Sequence, residues 1–268
     1  MTPDQEKAEN WWQTEIIEME PGSIRFRGYA IQDLIGTIGF VEMIWLMLRG
    51  DLPTPAQAEL LGAALVAGVD HGPQAPSIAI ARMAMTCGIG INSAMASAVN
   101  VLGDVHGGAG EQALAFYESI LARAEGDIPA AAKAAVAEAL AAGTQIGGFG
   151  HRFHPIDPRA PKLLALVDAA AAAGTVSGRL ATVARAVEAA LEDAKGRKIP
   201  MNIDGATAVI FGELGFPAPL CRGLFILSRS VGVLAHAFEQ SQQGGRNKGP
   251  LPKGWRWTYT GNPQRTPE

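Results

Sequence analysis

Ile31-Gln-Asp-Leu-Ile-Gly-Thr-Ile-Gly-Phe-Val-Glu-Met-Ile-Trp-Leu-Met-Leu48 is the stretch that decides the fold class. Its apolar residues Ile31, Leu34, Ile35, Ile38, Val41, Ile44, Trp45 and Leu48 recur every three or four positions. That is the interval at which side chains line one face of an α-helix, whereas a strand needs alternation at every second residue. Pro53 and Pro55 break the pattern, and Thr54 is placed to cap a helix with Pro55 in its first turn, over residues 56–67. Alanine-rich segments then predict further helices over 111–125, 128–142, 161–173, 178–195, 206–214 and 219–242, and one or two across 78–102. The strand-like pieces are 14–18 and 23–27, a small hairpin around Pro21-Gly22. The fold class is therefore mainly α with a short N-terminal β-hairpin. From Gly244 onward Gly, Pro, Lys and Arg predict an extended or poorly ordered tail, part of which Trp255 and Trp257 would dock on its own domain or on a partner chain.

The composition suits a large core, with 48% hydrophobic and 18% charged residues in 268. A net charge of -4 offers no broad basic surface, so no nucleic-acid partner is expected. Cys87 and Cys221 lie among apolar and small residues and read as buried, reduced thiols. The polar, mixed-charge start is unlike a signal peptide, and no run matches the roughly 18 apolar residues of a membrane span. The expectation is a cytoplasmic protein with no membrane partner.

Three acid/base residues sit in glycine-bearing frames: His106 in Gly103-Asp-Val-His-Gly-Gly-Ala109, His151 in Gly147-Gly-Phe-Gly-His-Arg152, and Asp204 in Pro200-Met-Asn-Ile-Asp-Gly205. Imidazoles trade protons near neutral pH, and glycine lets backbone approach a ligand closely. Two imidazoles and a carboxylate suit proton movement around a carbonyl group. The amides of Gly147, Gly148, Phe149 and Gly150 make a nest for an anionic or carbonyl oxygen, followed by His151, Arg152, His154 and Arg159. Asp204 also reads as a helix N-cap, and His106 as a turn histidine bonded to backbone. Arg229, inside an apolar helical run, needs an anion to offset its burial. There is no metal-ligand spacing, phosphate loop or nucleophile turn, so the chemistry is read as acid/base with no metal.

These residues resemble the citrate synthase family. Leu102-Gly-Asp-Val-His-Gly-Gly-Ala-Gly-Glu111 resembles its His-Gly-Gly-Ala-Asn segment, Gly147–Ala160 its Gly-Phe-Gly-His-Arg segment with a trailing Asp-Pro-Arg, and Asn202-Ile-Asp204 its Asn-Val-Asp. Arg27-Gly28-Tyr29, Asp70-His71 and Ser228-Arg229-Ser-Val-Gly232 are further matches in the same order. The resemblance implies a helical large domain (1–110 and 221–268), a small helical domain (111–220), and a homodimer or higher even oligomer. It implies that Asp204 handles the methyl proton of acetyl-CoA, that His106 bonds the thioester oxygen, and that His151 polarises the keto group of oxaloacetate. His71, Arg159 and Arg229 would hold carboxylates. Coenzyme A would enter as a thioester substrate along Gly147–Gly150, with Arg152, Arg197 and Lys198 near its phosphates and no permanently bound cofactor.

Two departures from the family pattern shape the functional expectation. The chain lacks most of the family's N-terminal region and a helical insert before His71, a compact form that looks like citryl-CoA lyase and like the matching module of ATP-citrate lyase. Gly249 holds the place of the family's C-terminal arginine, leaving Arg246 or Lys248 to substitute or the pocket to take a different oxoacid. The sequence is thus read as a citryl-CoA lyase, with a citrate synthase-type acyltransferase and a non-catalytic CoA-binding module as the competing readings.

Overall fold

A computed structural model of the chain describes residues 2–252 and 254–267. Among these residues the architecture is helical, with one small sheet. Helix α1 (Pro3–Trp11) precedes a three-stranded antiparallel sheet, β1 (Ile17–Glu20), β2 (Ser23–Phe26) and β3 (Tyr29–Ala30), in that spatial order. The strand signal near the start was therefore real but held one strand more than a hairpin. Helix α1, capped by Thr2 with Pro3 in its first turn, was not anticipated, because it is short, polar and exposed.

The helices that follow are α2 (Ile31–Leu34), α3 (Phe40–Arg49), α4 (Pro55–Ala67), α5 (Pro76–Thr86), α6 (Ile91–Val99), α7 (Ala109–Arg123), α8 (Ile128–Ala141), α9 (Arg159–Ala172), α10 (Arg179–Lys195), α11 (Ile203–Glu213) and α12 (Ala218–Gln243). The 31–48 stretch is two helices rather than one. Gly36 turns the chain at φ 79° and Gly39 caps α3 in extended backbone, so the periodic pattern spans a break that its apolar residues hide. Cys221 is buried as expected, but Cys87, just past α5, is exposed. Both thiols are free. Helix α12 corrects the reading of membrane length: an 18-residue window in it has mean hydropathy 1.3, apolar enough by length and composition to cross a bilayer.

Two compact units divide the chain. One takes in the residues up to Gly68 together with Gly107–Ser228, and the other Val69–His106 and the chain from Arg229. These boundaries differ from the division at 110 and 220 that the resemblance implies. In the first unit α11 is the hub, packing on α4, α7, α9 and α10. Gly205 to Phe211 are all buried, so the helix is apolar around its whole circumference, as a central helix must be. Leu114, Val167 and Val187 share the core with its Ile210. The second unit has its own small core, Ile78, Ala81, Ala94, Ala98, Val233 and Ala237, where α5 and α6 pack through alanine faces.

Candidate active site

Within the first unit, the start of α11 is tied to the glycine loop before His151. Asn202 N donates to Gly148 O (2.9 Å), Asn202 Nδ2 to Gly150 O (2.7 Å), and Gly150 N to Pro200 O (2.7 Å). Phe149 and Met201 form an isolated antiparallel bridge. Two glycines make this approach feasible. Gly148 has φ +87°, and a Cβ on it would lie 3.0 Å from Gly205 N, while a Cβ on Gly205 would drive into Gly148 O and Met201. Asn202 is the N-cap of α11, its Oδ1 accepting from Asp204 N (2.9 Å) and Gly205 N (3.3 Å). The N-cap reading of Asp204 is thereby corrected: it stands half-buried in the first turn of the helix.

Asp157 is the pivot of this region, and the sequence reading gave it no role beyond membership of a motif. Its carboxylate is 1% exposed and accepts from Arg159 N (3.1 Å), Arg159 Nε (2.9 Å), Arg159 Nη2 (2.9 Å) and Ile203 N (3.0 Å). Burial alone would raise its pKa, but these donors, led by the Arg159 guanidinium, hold it down at about 2. One carboxylate therefore orients Arg159, whose Nη1 also reaches Ala67 O at 3.4 Å, and anchors the helix that carries Asp204. The signal available in the sequence was an aspartate two residues before an arginine with proline between them.

The His151 ring has its Nδ1 facing the amides of Phe153 and His154, both at 3.1 Å. Amides only donate, so Nδ1 accepts and the ring hydrogen is assigned to Nε2. Burial lowers its pKa, Asp157 opposes that, and His154 and Arg159 add to it. The result is a neutral imidazole whose Nε2–H is the donor.

Behind the turn of α11 lies Tyr117, fully buried and edge-on to Phe149 at 6.3 Å between ring centroids. Its hydroxyl finds no hydrogen-bond partner among the described residues. Burial, then the charges of Glu188 and Asp204, push its pKa well above the ordinary phenol value.

The second unit holds His71, His106, Arg229 and Arg246. His106 Nε2 accepts from Ser77 N (3.2 Å) and lies 3.0 Å from Ser77 Oγ, which assigns its hydrogen to Nδ1. Burial and then the charge of Arg229 lower its pKa, so this imidazole too is neutral at pH 7. Arg229 is 5% exposed and Ser77 is completely buried. Nothing in the sequence singled out Ser77, which is 29 residues from its histidine. His71 is exposed at the turn after Asp70, and Arg246 is exposed in the C-terminal segment. Two further residues of that segment are tied down, since Asn247 N and Lys248 N donate to Thr86 O and Oγ1 at 2.8 and 2.9 Å.

Two cavities flank the loop that leads into Gly147. One, of about 320 Å³, is lined by Leu140, Ile146, Phe149, Leu191, Lys195 and Ile199; the other, of about 360 Å³, by Gln112, Phe116, Ala139, Gln145 and Gly147. Arg152, Arg197 and Lys198 are exposed, and the cation on the first cavity is Lys195.

Residues 9–61 and 53–251 match the family model for the citrate synthase C-terminal domain. The citrate synthase of Haloferax volcanii is 32% identical over 197 residues, covering 72% of this chain and 49% of that protein. A putative citrate synthase 2 of Mycobacterium tuberculosis is 31% identical over 72% of this chain and 50% of its own length. The chain spans about half the length of the curated relatives it matches. Among solved structures, citryl-CoA lyase from Hydrogenobacter thermophilus superposes with a TM-score of 0.84 at 32% identity, covering 95% of this chain and 96% of that one. A citrate synthase from Thermoplasma acidophilum, solved as a ternary complex with carboxymethyl coenzyme A and oxaloacetate, superposes with a TM-score of 0.71 at 25% identity, covering 85% of this chain and 58% of that one.

Proposed function

Because the chain belongs to the citrate synthase family, we propose that it is an enzyme that cleaves citryl-CoA to acetyl-CoA and oxaloacetate. The observation that carries cleavage over condensation is the likeness to a citryl-CoA lyase along nearly the whole of both chains. The division into a large domain (1–110 and 221–268) and a small one (111–220), and assembly as a homodimer, are part of this reading.

The assigned ring hydrogens fit the chemistry. In a retro-Claisen step the hydroxyl of citryl-CoA loses its proton, the carbon–carbon bond breaks, and its electrons pass into the thioester as an enolate. A neutral His106 donating from Nδ1 stabilises that enolate oxygen, and one well-aimed donor of this kind contributes about 3 kcal/mol. Protonated Asp204 delivers its proton to the enolate carbon, giving the methyl group of acetyl-CoA. His151 donates from Nε2 to the keto oxygen of oxaloacetate. For cleavage it takes up the hydroxyl proton, which requires the Phe153 and His154 amides to release Nδ1, so that the ring carries its hydrogen there and accepts at Nε2. His71, Arg159, Arg229 and Arg246 hold the substrate carboxylates. The thioester lies along Gly147–Gly150, with Arg152, Arg197 and Lys198 toward its phosphates.

The names of the curated relatives favour a second reading, condensation of acetyl-CoA with oxaloacetate followed by thioester hydrolysis. Two assays on the purified protein separate the readings. Oxaloacetate released from citryl-CoA, with no free thiol from acetyl-CoA plus oxaloacetate, is the expected result. Free CoA in the second assay establishes the synthase instead, and silence in both removes this chemistry.

A further inference from the structure

We propose that His236 is a positioning residue for His71, holding the Val69–Gly72 turn by joining Asp70 to Arg82. All of these residues belong to the second unit. Three contacts fix the turn. Gly232 N donates to Val69 O (3.1 Å), Gly72 N donates to Asp70 Oδ2 (3.1 Å), and His236 Nε2 lies 3.3 Å from Asp70 Oδ1. Gly232 has to be glycine, because a Cβ there would run into Val69 O and come within 3.2 Å of Asp70 Cβ.

The other ring nitrogen decides the chemistry. His236 Nδ1 lies 3.0 Å from Arg82 Nη1. A guanidinium has only donors, so Nδ1 accepts and the ring hydrogen is on Nε2, the nitrogen that lies 3.3 Å from Asp70 Oδ1. Arg82 is itself held, by Glu239 and by Gln243 Oε1 at 2.6 Å. The charged groups facing the ring are thus Asp70 from the turn, Arg82 from α5, and Glu239 from α12 itself at 3.9 Å.

The functional half of this inference rests on the proposed role of His71, and the test keeps the two apart. Glutamine can accept from Arg82 and donate to Asp70; phenylalanine can do neither. Hydrogen exchange at Gly72 N is followed in the full chain at pH 7, alongside KM and kcat for citryl-CoA. In H236F the Gly72 amide should exchange about tenfold faster and KM should rise about tenfold, the equivalent of one ordinary hydrogen bond, with kcat little changed. H236Q should restore both. Wild-type exchange in H236F overturns the clamp. Lost protection with an unchanged KM overturns the positioning of His71, and an H236Q that behaves as H236F does overturns the bridging role of the ring. Should H236F fail to fold, H236Q decides. A wild type with no turnover counts against the lyase reading alone, and the exchange measurements still judge the clamp.

Discussion

Replacing Asp157 with asparagine removes one charge from the pivot of the first unit and leaves its volume almost unchanged. The carboxylate titrates at about 2 instead of 3.8. At about 1.4 kcal/mol per pH unit, its ionised form stabilises the native state by roughly 2.5 kcal/mol. Because the folded value lies below that of the unfolded chain, this increment is fully present above about pH 4 and is lost as pH falls through about 2. D157N should therefore melt about 5–10 °C below the wild type at pH 7, at the 2–4 °C per kcal/mol expected of a protein this size. The two melting curves, followed by far-ultraviolet circular dichroism, should converge on acidification, because the wild type loses what the variant never had. A D157N melting temperature within 1 °C of wild type at pH 7, or a gap that persists undiminished at pH 2, would refute the account of Asp157 as the anchor of Arg159 and α11.

Further expectations follow from the same geometry. G148A should cost about 1–3 kcal/mol in urea unfolding beyond G143A, since both glycines have positive φ but only Gly148 abuts Gly205; equal losses would remove the close approach from the argument. Y117F should leave stability unchanged or raise it by about 1 kcal/mol, because it deletes a buried hydroxyl that has no partner; a clear loss would mean that the hydroxyl is bonded. D204N and H151A should each lower turnover at least about 100-fold with the circular dichroism spectrum intact, and near-normal activity would strike the residue from the mechanism. The pKa values of His106 and His151 both lie below 6.5, so activity that needs neutral imidazoles should hold down through pH 6.5 before it falls. An acid midpoint above that value would contradict the burial of the two rings.

Most helices were legible because their apolar residues recur at the helical interval in segments bounded by proline and glycine. The 31–48 stretch shows the limit of that signal. The buried residues, Leu34 of α2 and Trp45 and Leu46 of α3, fall at nearly the spacing one continuous helix would give, and only Gly36 and Gly39 betray the break. Asp204 was recognised from its frame, but its place one turn into α11 depends on Asn202, whose capping side chain sequence reasoning passed over. Asp157 and Ser77 were missed for a common reason. Each acts on a partner that folding brings to it, Ile203 in one case and His106 in the other, and no local pattern records such a meeting.

The bridge between Phe149 and Met201 has a consequence for how the protein is assembled. It closes a long excursion of chain through α9 and α10, and ordering such a loop costs entropy that only the finished interior can offset. The frame around Asp204 and His151 should thus become ordered together with the interior rather than ahead of it. Catalysis and helix content would then disappear in one step on heating, the reacting groups sharing the fate of the helix that carries them.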